Sequence, residues 1–233
     1  MPRFDVLAFD ADDTLWHSED GFRAAEQRFH ALLQPFAAPG VDVADALVAM
    51  ERANLSVYGY GVKAFGLSMV EAALTISQGK VSPEVIAEII DIVRDLLLAP
   101  VRLLPEVAET LHAVGDAARL MIVTKGDLVH QTRKVTTSGL EHHFDHVEVV
   151  LEKDVDTYRR VMREAGVEPE GFCMVGNSVR SDILPVLELG GHAVHVPYPF
   201  LWEVERVEVL PSGPRFVELE KLSDLPRWLS GTM

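Results

Sequence analysis

Short apolar runs and longer amphipathic segments divide the chain into two kinds of stretch. The first apolar run, Val6–Phe9, is stopped by charged residues, which is typical of a buried strand. From Glu19 to Leu98, apolar residues recur every three or four positions, so the spacing predicts helices only. From Val101 onward, helical and strand patterns alternate, as in βαβ units that cover a parallel sheet. The pattern predicts an α/β fold in which an all-helical block is inserted after the first strand.

The helical block is expected to contain four helices, over residues 19–36, from the cap Asp42 onward, over 68–77 and over 83–98. Between the second and third helices, Tyr58–Gly66 mixes glycines with aromatic residues, a composition that suits either ligand contact or a plain connector. Lys63 in this predicted loop is therefore a candidate substrate contact, and packing is the alternative explanation of its neighbours.

The second half of the chain has strand patterns over 120–123, 147–150, 172–175 and 193–196, and a half-exposed one over 216–219. Parallel sheets bind ligands in the crevice outside the carboxyl ends of their strands. Polar side chains follow the first four strands of the chain at this edge. They are Asp10 and Asp12, then Thr124 and Lys125, then Lys153, and finally Asn177 and Asp182.

These side chains have complementary chemistry. Asp10 and Asp12 alternate along an extended segment, so they can share a metal ion or divide the roles of nucleophile and acid. Carboxylate and amide oxygens are the ligands that Mg²⁺ prefers, at roughly 2.1 Å. The lysines and Thr124 can donate to a phosphate, especially beside a helix N-terminus. Each turn alone is equally consistent with an ordinary solvated strand-to-helix connection, so only the four turns together indicate a binding site.

The net charge changes the list of possible partners. At −15, with 36 acidic and 21 basic residues, the chain is not expected to bind nucleic acid or an anionic membrane. An acidic protein that binds a phosphorylated molecule needs local cations and a metal ion. The single cysteine, Cys173, cannot form an internal disulfide, and no signal peptide or membrane-length apolar run is present, so a cytoplasmic location is expected.

The motifs resemble those of the haloacid dehalogenase superfamily of hydrolases, most of whose members are Mg²⁺-dependent phosphatases. That family has Asp-x-Asp-x-Thr after the first strand, which matches Asp10 to Thr14 here. Its further elements match Thr124, Lys153, and Gly176-Asn177 with Asp182. The resemblance covers nearly the whole chain. It implies a Rossmann-like parallel sheet core made of residues 1–16 and 101–233, with an inserted all-helical cap over residues 17–100.

The resemblance also implies roles for the residues. Asp10 is expected to attack phosphorus and form an aspartyl-phosphate, and Asp12 to act as general acid and then as base. Mg²⁺ is expected to be held by Asp10, Asn177, Asp182 and the backbone carbonyl of Asp12. Thr124 and Lys153 are then expected to bind the phosphate of a small phosphorylated metabolite. Lys125 departs from the family, since many members carry Asn there, and our hypothesis is that it adds positive charge to the phosphate-binding pocket or contacts an acidic part of the substrate, with a solvated lysine as the alternative. Specificity in this family lies in the cap, which makes Lys63 the candidate substrate-selecting residue.

The departure at Asn177 keeps other functions open. Asn177 stands where most phosphatases of the family have Asp, and its neutral amide oxygen is the weaker ligand. An Asn there also resembles the haloacid dehalogenases proper, which need no metal but lack the second acid. Asp12 therefore favours phosphoryl transfer over a dehalogenase. Two alternatives stay open: a phosphate-binding protein without turnover, which only Asn177 supports, and a phosphomutase, a variant of the phosphatase that needs its phospho-enzyme protected from water. The sequence does not predict the oligomeric state.

Overall fold

The computed structural model of the chain describes residues 4–232, which divide into two compact units. One unit combines the residues up to Glu19 with those from Val101 onward, and the other is Asp20–Pro100. The first contains the sheet and the second only helices. Within the described residues, no helix is both long and apolar enough to cross a membrane.

The first unit is built on a parallel sheet in the order β3-β2-β1-β4-β5-β6. Its strands are β1 (Val6–Phe9), β2 (Arg119–Lys125), β3 (His146–Val150), β4 (Phe172–Gly176), β5 (His192–His195) and β6 (Phe216–Glu218). The helices of this unit after the sheet begins are α5 (Val107–Val114), α6 (Leu128–Ser138), α7 (Val155–Ala165), α8 (Leu184–Glu188) and α9 (Leu225–Ser230). The predicted α/β class with a Rossmann-like parallel sheet is confirmed.

The central strand β1 is buried on both faces, because helices cover both sides of the sheet. Leu7 and Phe9 pack in one hydrophobic cluster with residues of α5 and α9. Val6 and Ala8 point to the other face, where they pack with α7. A strand that is covered on both faces needs a continuous apolar run rather than alternation, which is why Val6–Phe9 could be identified from the sequence. This run fixes the position of the residue that follows it, Asp10.

The other unit packs its helices around an apolar cluster of its own. Helix α1 (Glu19–Leu33) begins at the boundary between the units, and α2 (Val43–Tyr58), α3 (Val62–Ile76) and α4 (Pro83–Leu98) follow. Asp42 caps α2 as expected, since its carboxylate accepts hydrogen bonds from the backbone N–H groups of Ala44 and Asp45.

The loop predicted at Tyr58–Gly66 is mostly helix, which corrects the sequence analysis. Only three residues separate α2 from α3, and Gly59 and Gly61 turn the chain with φ values of 71° and 100°. Gly66 lies inside α3, where a Cβ atom would be 2.6 Å from Val93 Cγ2 of α4. That glycine permits close packing of two helices, and Lys63 is in the first turn of α3 rather than in a loop.

Two other boundaries differ from the prediction for local reasons. The apolar spacing in the sequence also predicts a helix from Pro105, but α5 begins at Val107, because Glu106 has a left-handed backbone with φ of 59°. Strand β2 extends to Lys125, so Thr124 and Lys125 belong to the strand itself, paired with Val149 and Val150 of β3. The ladder thus fixes the backbone of both residues.

Candidate active site

The turn after β1 holds its carboxylates by local backbone bonds. The Asp10 N–H donates to the carbonyl of Val175 in β4, 2.9 Å away, which continues the sheet by one residue. Asp13 has a φ of 62°, and its carboxylate accepts hydrogen bonds from the backbone N–H groups of Ser18 and Glu19. Asp13 therefore stabilises the tight turn, which leaves Asp10 and Asp12 to face the edge of the sheet.

Asp10 is buried beside a buried lysine. Lys153 Nζ lies 2.5 Å from Asp10 Oδ1 and 2.6 Å from Asp182 Oδ1. Thr14 Oγ1 donates to the other oxygen, Asp10 Oδ2, at 3.1 Å. Burial raises the pKa of Asp10 to about 7, although the Lys153 ammonium acts in the opposite direction. Burial alone would lower the pKa of Lys153, but Asp10 and Asp182 outweigh it and raise that pKa well above its usual value.

The loop after β4 places Asn177 and Asp182 next to this pair. Asn177 Oδ1 is 3.5 Å from Thr14 Oγ1, the same hydroxyl that contacts Asp10. Asp182 Oδ2 accepts from the Ser178 N–H at 3.0 Å. A Cβ atom on Gly176 would lie 2.2 Å from Asp182 Oδ2, so only glycine fits at that position. The chain then enters a π-helix, Val179–Ile183, which contains Asp182.

Asp12 is surrounded by donors that the sequence analysis did not include. Lys134 Nζ lies 2.5 and 2.7 Å from its two carboxylate oxygens, and Trp16 Nε1 donates to Oδ1 at 2.6 Å. Gln131 Nε2 donates to Oδ2 at 3.1 Å. Burial alone would raise the pKa of Asp12, but the Lys134 charge and these hydrogen bonds outweigh it and lower that pKa. The carboxylate of Asp12 is therefore ionised and held in one orientation.

Thr124 and Lys125 lie at the same edge with different surroundings. Gln131 Nε2 is 2.6 Å from Thr124 Oγ1, so one amide contacts both Thr124 and Asp12. Lys125 Nζ contacts Glu205 Oε1 at 2.8 Å, Glu152 Oε1 at 3.2 Å and Ser181 Oγ at 3.1 Å. The Lys125 ammonium is thus bound to two carboxylates of the protein itself.

All seven residues predicted at the strand ends line one cavity of about 140 Å³ in the sheet-containing unit. Aromatic and apolar side chains complete its wall, from Phe200 to Trp202. Lys63, the remaining candidate, belongs to the helical unit and is not among the residues of this cavity. The sheet topology thus unites the strand-end residues.

The oxygen atoms of the cavity suit a hard divalent cation. Across residues 4–232, no three His, Cys, Asp or Glu side chains form a group that could hold a metal ion. The candidate set has instead two carboxylates, of Asp10 and Asp182, and the amide oxygen of Asn177. Asp10 Oδ2 and Asn177 Oδ1 both lie beside the Thr14 hydroxyl. A set of oxygen ligands completed by waters and substrate is the usual form of a Mg²⁺ site, so the residues fit that ion.

Gln131, Lys134 and Glu205 were missed by the sequence analysis. Gln131 and Lys134 are three residues apart on α6, so they lie on one helix face, and α6 starts at the edge where β2 ends. That spacing is a signal that a polar helix face follows the second strand. Glu205 lies in a short 3-10 turn, Glu203–Glu205, among other acidic residues, and no sequence pattern distinguishes it.

Comparison with known proteins agrees with the fold and the motifs. The model of the haloacid dehalogenase-like hydrolase family matches residues 4–190, and the chain belongs to this family. A haloacid dehalogenase-like family hydrolase from Xanthomonas campestris has 38% sequence identity and a TM-score of 0.88, with 98% of this chain and 91% of that one covered.

Two other relatives have different named activities. A glyceraldehyde 3-phosphate phosphatase from Methanothermobacter thermautotrophicus is 32% identical over 112 residues, which are 46% of this chain and 49% of that protein. This chain thus matches about half of the length of that relative. An L-2-haloacid dehalogenase from Xanthobacter autotrophicus shares the fold, with a TM-score of 0.67 at 18% identity over 99% of this chain and 100% of that one.

Proposed function

We propose that the chain hydrolyses phosphate monoesters of small molecules, with Asp10 as nucleophile and Mg²⁺ as cofactor. The observation on which this proposal depends is the convergence of Asp10, Asp12, Thr124 and Lys153 on one cavity. Asp12 favours phosphate-ester hydrolysis over dehalogenation. A carboxylate that transfers protons next to the nucleophile is needed when a poor leaving group departs and when water attacks.

In the first step, a carboxylate oxygen of Asp10 attacks phosphorus, and the bond from phosphorus to the ester oxygen breaks. Asp12 first takes up a proton from solvent, against the effect of the Lys134 ion pair, and then gives that proton to the departing oxygen. In the second step, the ionised Asp12 takes a proton from a water molecule, which attacks phosphorus and releases phosphate from Asp10. The ion pair with Lys134 favours the ionised form that the second step needs.

Positive charge must balance the phosphoryl group in both steps. The Thr124 hydroxyl and the Lys153 ammonium would contact its oxygens, and Lys153 also holds Asp10 and Asp182 in place. Mg²⁺ would be held by Asp10, Asn177, Asp182 and the backbone carbonyl of Asp12. When bound, it supplies the charge that lets a carboxylate approach an anionic substrate. A net charge of −15 makes these local cations necessary.

A small phosphorylated metabolite is the proposed substrate class. The named substrate of the Methanothermobacter relative is such a compound, which supports this choice. Lys63 of the helical unit stays the proposed substrate-selecting residue. A second candidate function, dehalogenation of a 2-halo acid, is favoured by the neutral Asn177 and by the dehalogenase fold relative.

The two functions predict different products and different metal requirements. The test is to incubate the protein with an aryl phosphate and, separately, with a 2-chloro carboxylic acid, each with Mg²⁺ and with a chelator. The proposal predicts phosphate release that requires Mg²⁺ and no chloride release. Chloride release that is unaffected by the chelator would replace the proposal with the dehalogenase alternative.

A further inference from the structure

Glu205 is a buried carboxylate for which the proposed chemistry has no use. It lies after β5, in the 3-10 turn Glu203–Glu205, and only 8% of its surface is exposed. Its Oε1 accepts from Lys125 Nζ at 2.8 Å, and its Oε2 accepts from Ser178 Oγ at 2.6 Å and Ser181 Oγ at 2.5 Å. Burying a charged carboxylate costs free energy unless hydrogen-bond donors compensate for the lost water, and these three donors do so.

These bonds join separate loops of the cavity. Ser178 follows Asn177, and Ser181 precedes Asp182, so Glu205 contacts the chain beside both candidate metal ligands. Ser178 Oγ also accepts from the Ser181 N–H at 3.1 Å, which closes the turn. Lys125 extends the same network to the end of β2, directly after Thr124. One carboxylate therefore connects the loop after β4 with the strand that contributes the phosphate-binding hydroxyl.

The ammonium of Lys125 has no spare donor in this arrangement. A lysine has three N–H donors. Glu205, Glu152 and Ser181 provide three acceptors within 3.2 Å. A phosphate oxygen would have to displace one of these partners, and two of them are anionic. The geometry therefore favours a linking role for Lys125 over the direct phosphate contact expected from the sequence.

We propose that Glu205 and Lys125 form a positioning pair that holds Thr124 and the Asn177–Asp182 loop in the geometry needed for phosphoryl transfer. This inference rests on the proposed function. The pair also fixes one wall of the cavity, because Phe200, Leu201 and Trp202 lie just before Glu205 in the chain and line the same space. Loss of the pair would shift reacting groups without removing any of them.

The test is a double-mutant cycle with Glu205→Gln, Lys125→Met and the double variant. Glu203→Gln is the matched control, since Glu203 is in the same turn but is exposed and paired with Arg206. Phosphate release is measured at a temperature at which circular dichroism shows every variant to be folded. We expect each single variant to lower kcat/KM by roughly tenfold, because small misplacements of reacting groups are costly. The double variant should also lose roughly tenfold rather than the hundredfold product.

Several outcomes would overturn the proposal that Glu205 and Lys125 act as a positioning pair. Independent losses that multiply in the double variant would do so, as would a Glu205→Gln effect no larger than that of Glu203→Gln. A lower KM in Glu205→Gln would show that Lys125 had been released to bind phosphate directly.

The same proteins separate this inference from the proposed function. If the wild-type chain releases no phosphate from any ester, the proposed function fails, while urea unfolding of the four proteins still tests the pair. Strong coupling in that cycle would support it, and additive losses would contradict it.

Discussion

Two lysines at neighbouring strand ends each lie between two carboxylates, but those carboxylates have different proposed roles. Lys153 lies between Asp10 and Asp182, and Lys125 lies between Glu205 and Glu152. The Lys153 side chain is 2% exposed and that of Lys125 is 13% exposed. The partners of Lys153 are a proposed nucleophile and metal ligand, whereas the partners of Lys125 have no reacting role. A lysine at the ligand-binding edge is thus interpretable only from the carboxylates that it contacts.

Replacement of Lys153 should have the larger effect of the two. Lys153→Met leaves Asp10 and Asp182 without their shared counter-ion, and such loss of one partner of a buried ion pair costs about 3 kcal/mol or more. Activity should fall by at least about a hundredfold, because the phosphoryl group loses a charged donor. Urea unfolding and phosphate release measure the two effects. Lys221→Met, at an exposed lysine, is the control. A wild-type kcat/KM in Lys153→Met would contradict the proposed contact of Lys153 with the phosphoryl group.

Lys134 extends the comparison to a lysine whose ion pair is with the carboxylate of Asp12. Lys134→Met removes two contacts, of 2.5 and 2.7 Å, so Asp12 is less firmly oriented for proton transfer. We expect kcat to fall by roughly tenfold, with a smaller change in KM. Lys134→Arg keeps the charge and should recover part of the loss. Equal activity of the Met and Arg variants would show that a positive charge at position 134 does not contribute to proton transfer by Asp12.

The ion pair of Lys125 with Glu205 predicts that the stability of the fold depends on pH. The pKa of Glu205 is lowered from its usual 4.5, because Lys125 and the two serine hydroxyls outweigh the effect of burial. A lowered pKa stabilises the fold above the unfolded-state value, and that contribution disappears as the pH falls through the folded-state value. Between about pH 6 and about pH 3.5, the wild-type chain should therefore lose more unfolding free energy than Glu205→Gln. Parallel urea titrations test this, and identical slopes would contradict it.

Glu152 should contribute least. Its side chain is 44% exposed, and it lies 3.2 Å from Lys125 Nζ. This is the longest of the four contacts that Lys125 and Lys153 make with their carboxylate partners given above. Water and salt screen such a pair, so Glu152→Gln should change the unfolding free energy by less than about 1 kcal/mol. A loss as large as that from Glu205→Gln, measured by the same urea titration, would remove the distinction between the two partners of Lys125.

Much of the fold was predictable because local rules determine it. The apolar run Val6–Phe9 and the cap Asp42 are identifiable in the sequence because burial on both faces and helix capping act within a few residues. The predicted loop at Tyr58–Gly66 was wrong because Gly66 serves contact with Val93, nearly thirty residues away in the chain. Glycine alone does not distinguish a turn from close helix packing.

The site was predictable only in part, for a related reason. The residues at strand ends share one cavity because parallel topology brings those ends together. Side-chain pairing is different, since Lys134 lies 122 residues from Asp12 and Glu205 lies 80 residues from Lys125. Such pairs depend on rotamers and on the positions of loops. For this reason the phosphate contact of Lys125 stays a prediction, and the positioning role is the proposal that its observed contacts support.

The proposed phosphatase activity depends most on Asp10 as nucleophile. The most direct measurement is Mg²⁺-dependent phosphate release from an aryl phosphate by the wild-type chain, Asp10→Asn and Asp116→Asn. Asp116 is an exposed residue that lies before β2 in the chain, at the amino end of that strand, and serves as the control. We predict that Asp116→Asn keeps wild-type turnover and that folded Asp10→Asn has none. Turnover of Asp10→Asn close to that of the wild type would show that Asp10 is not the nucleophile.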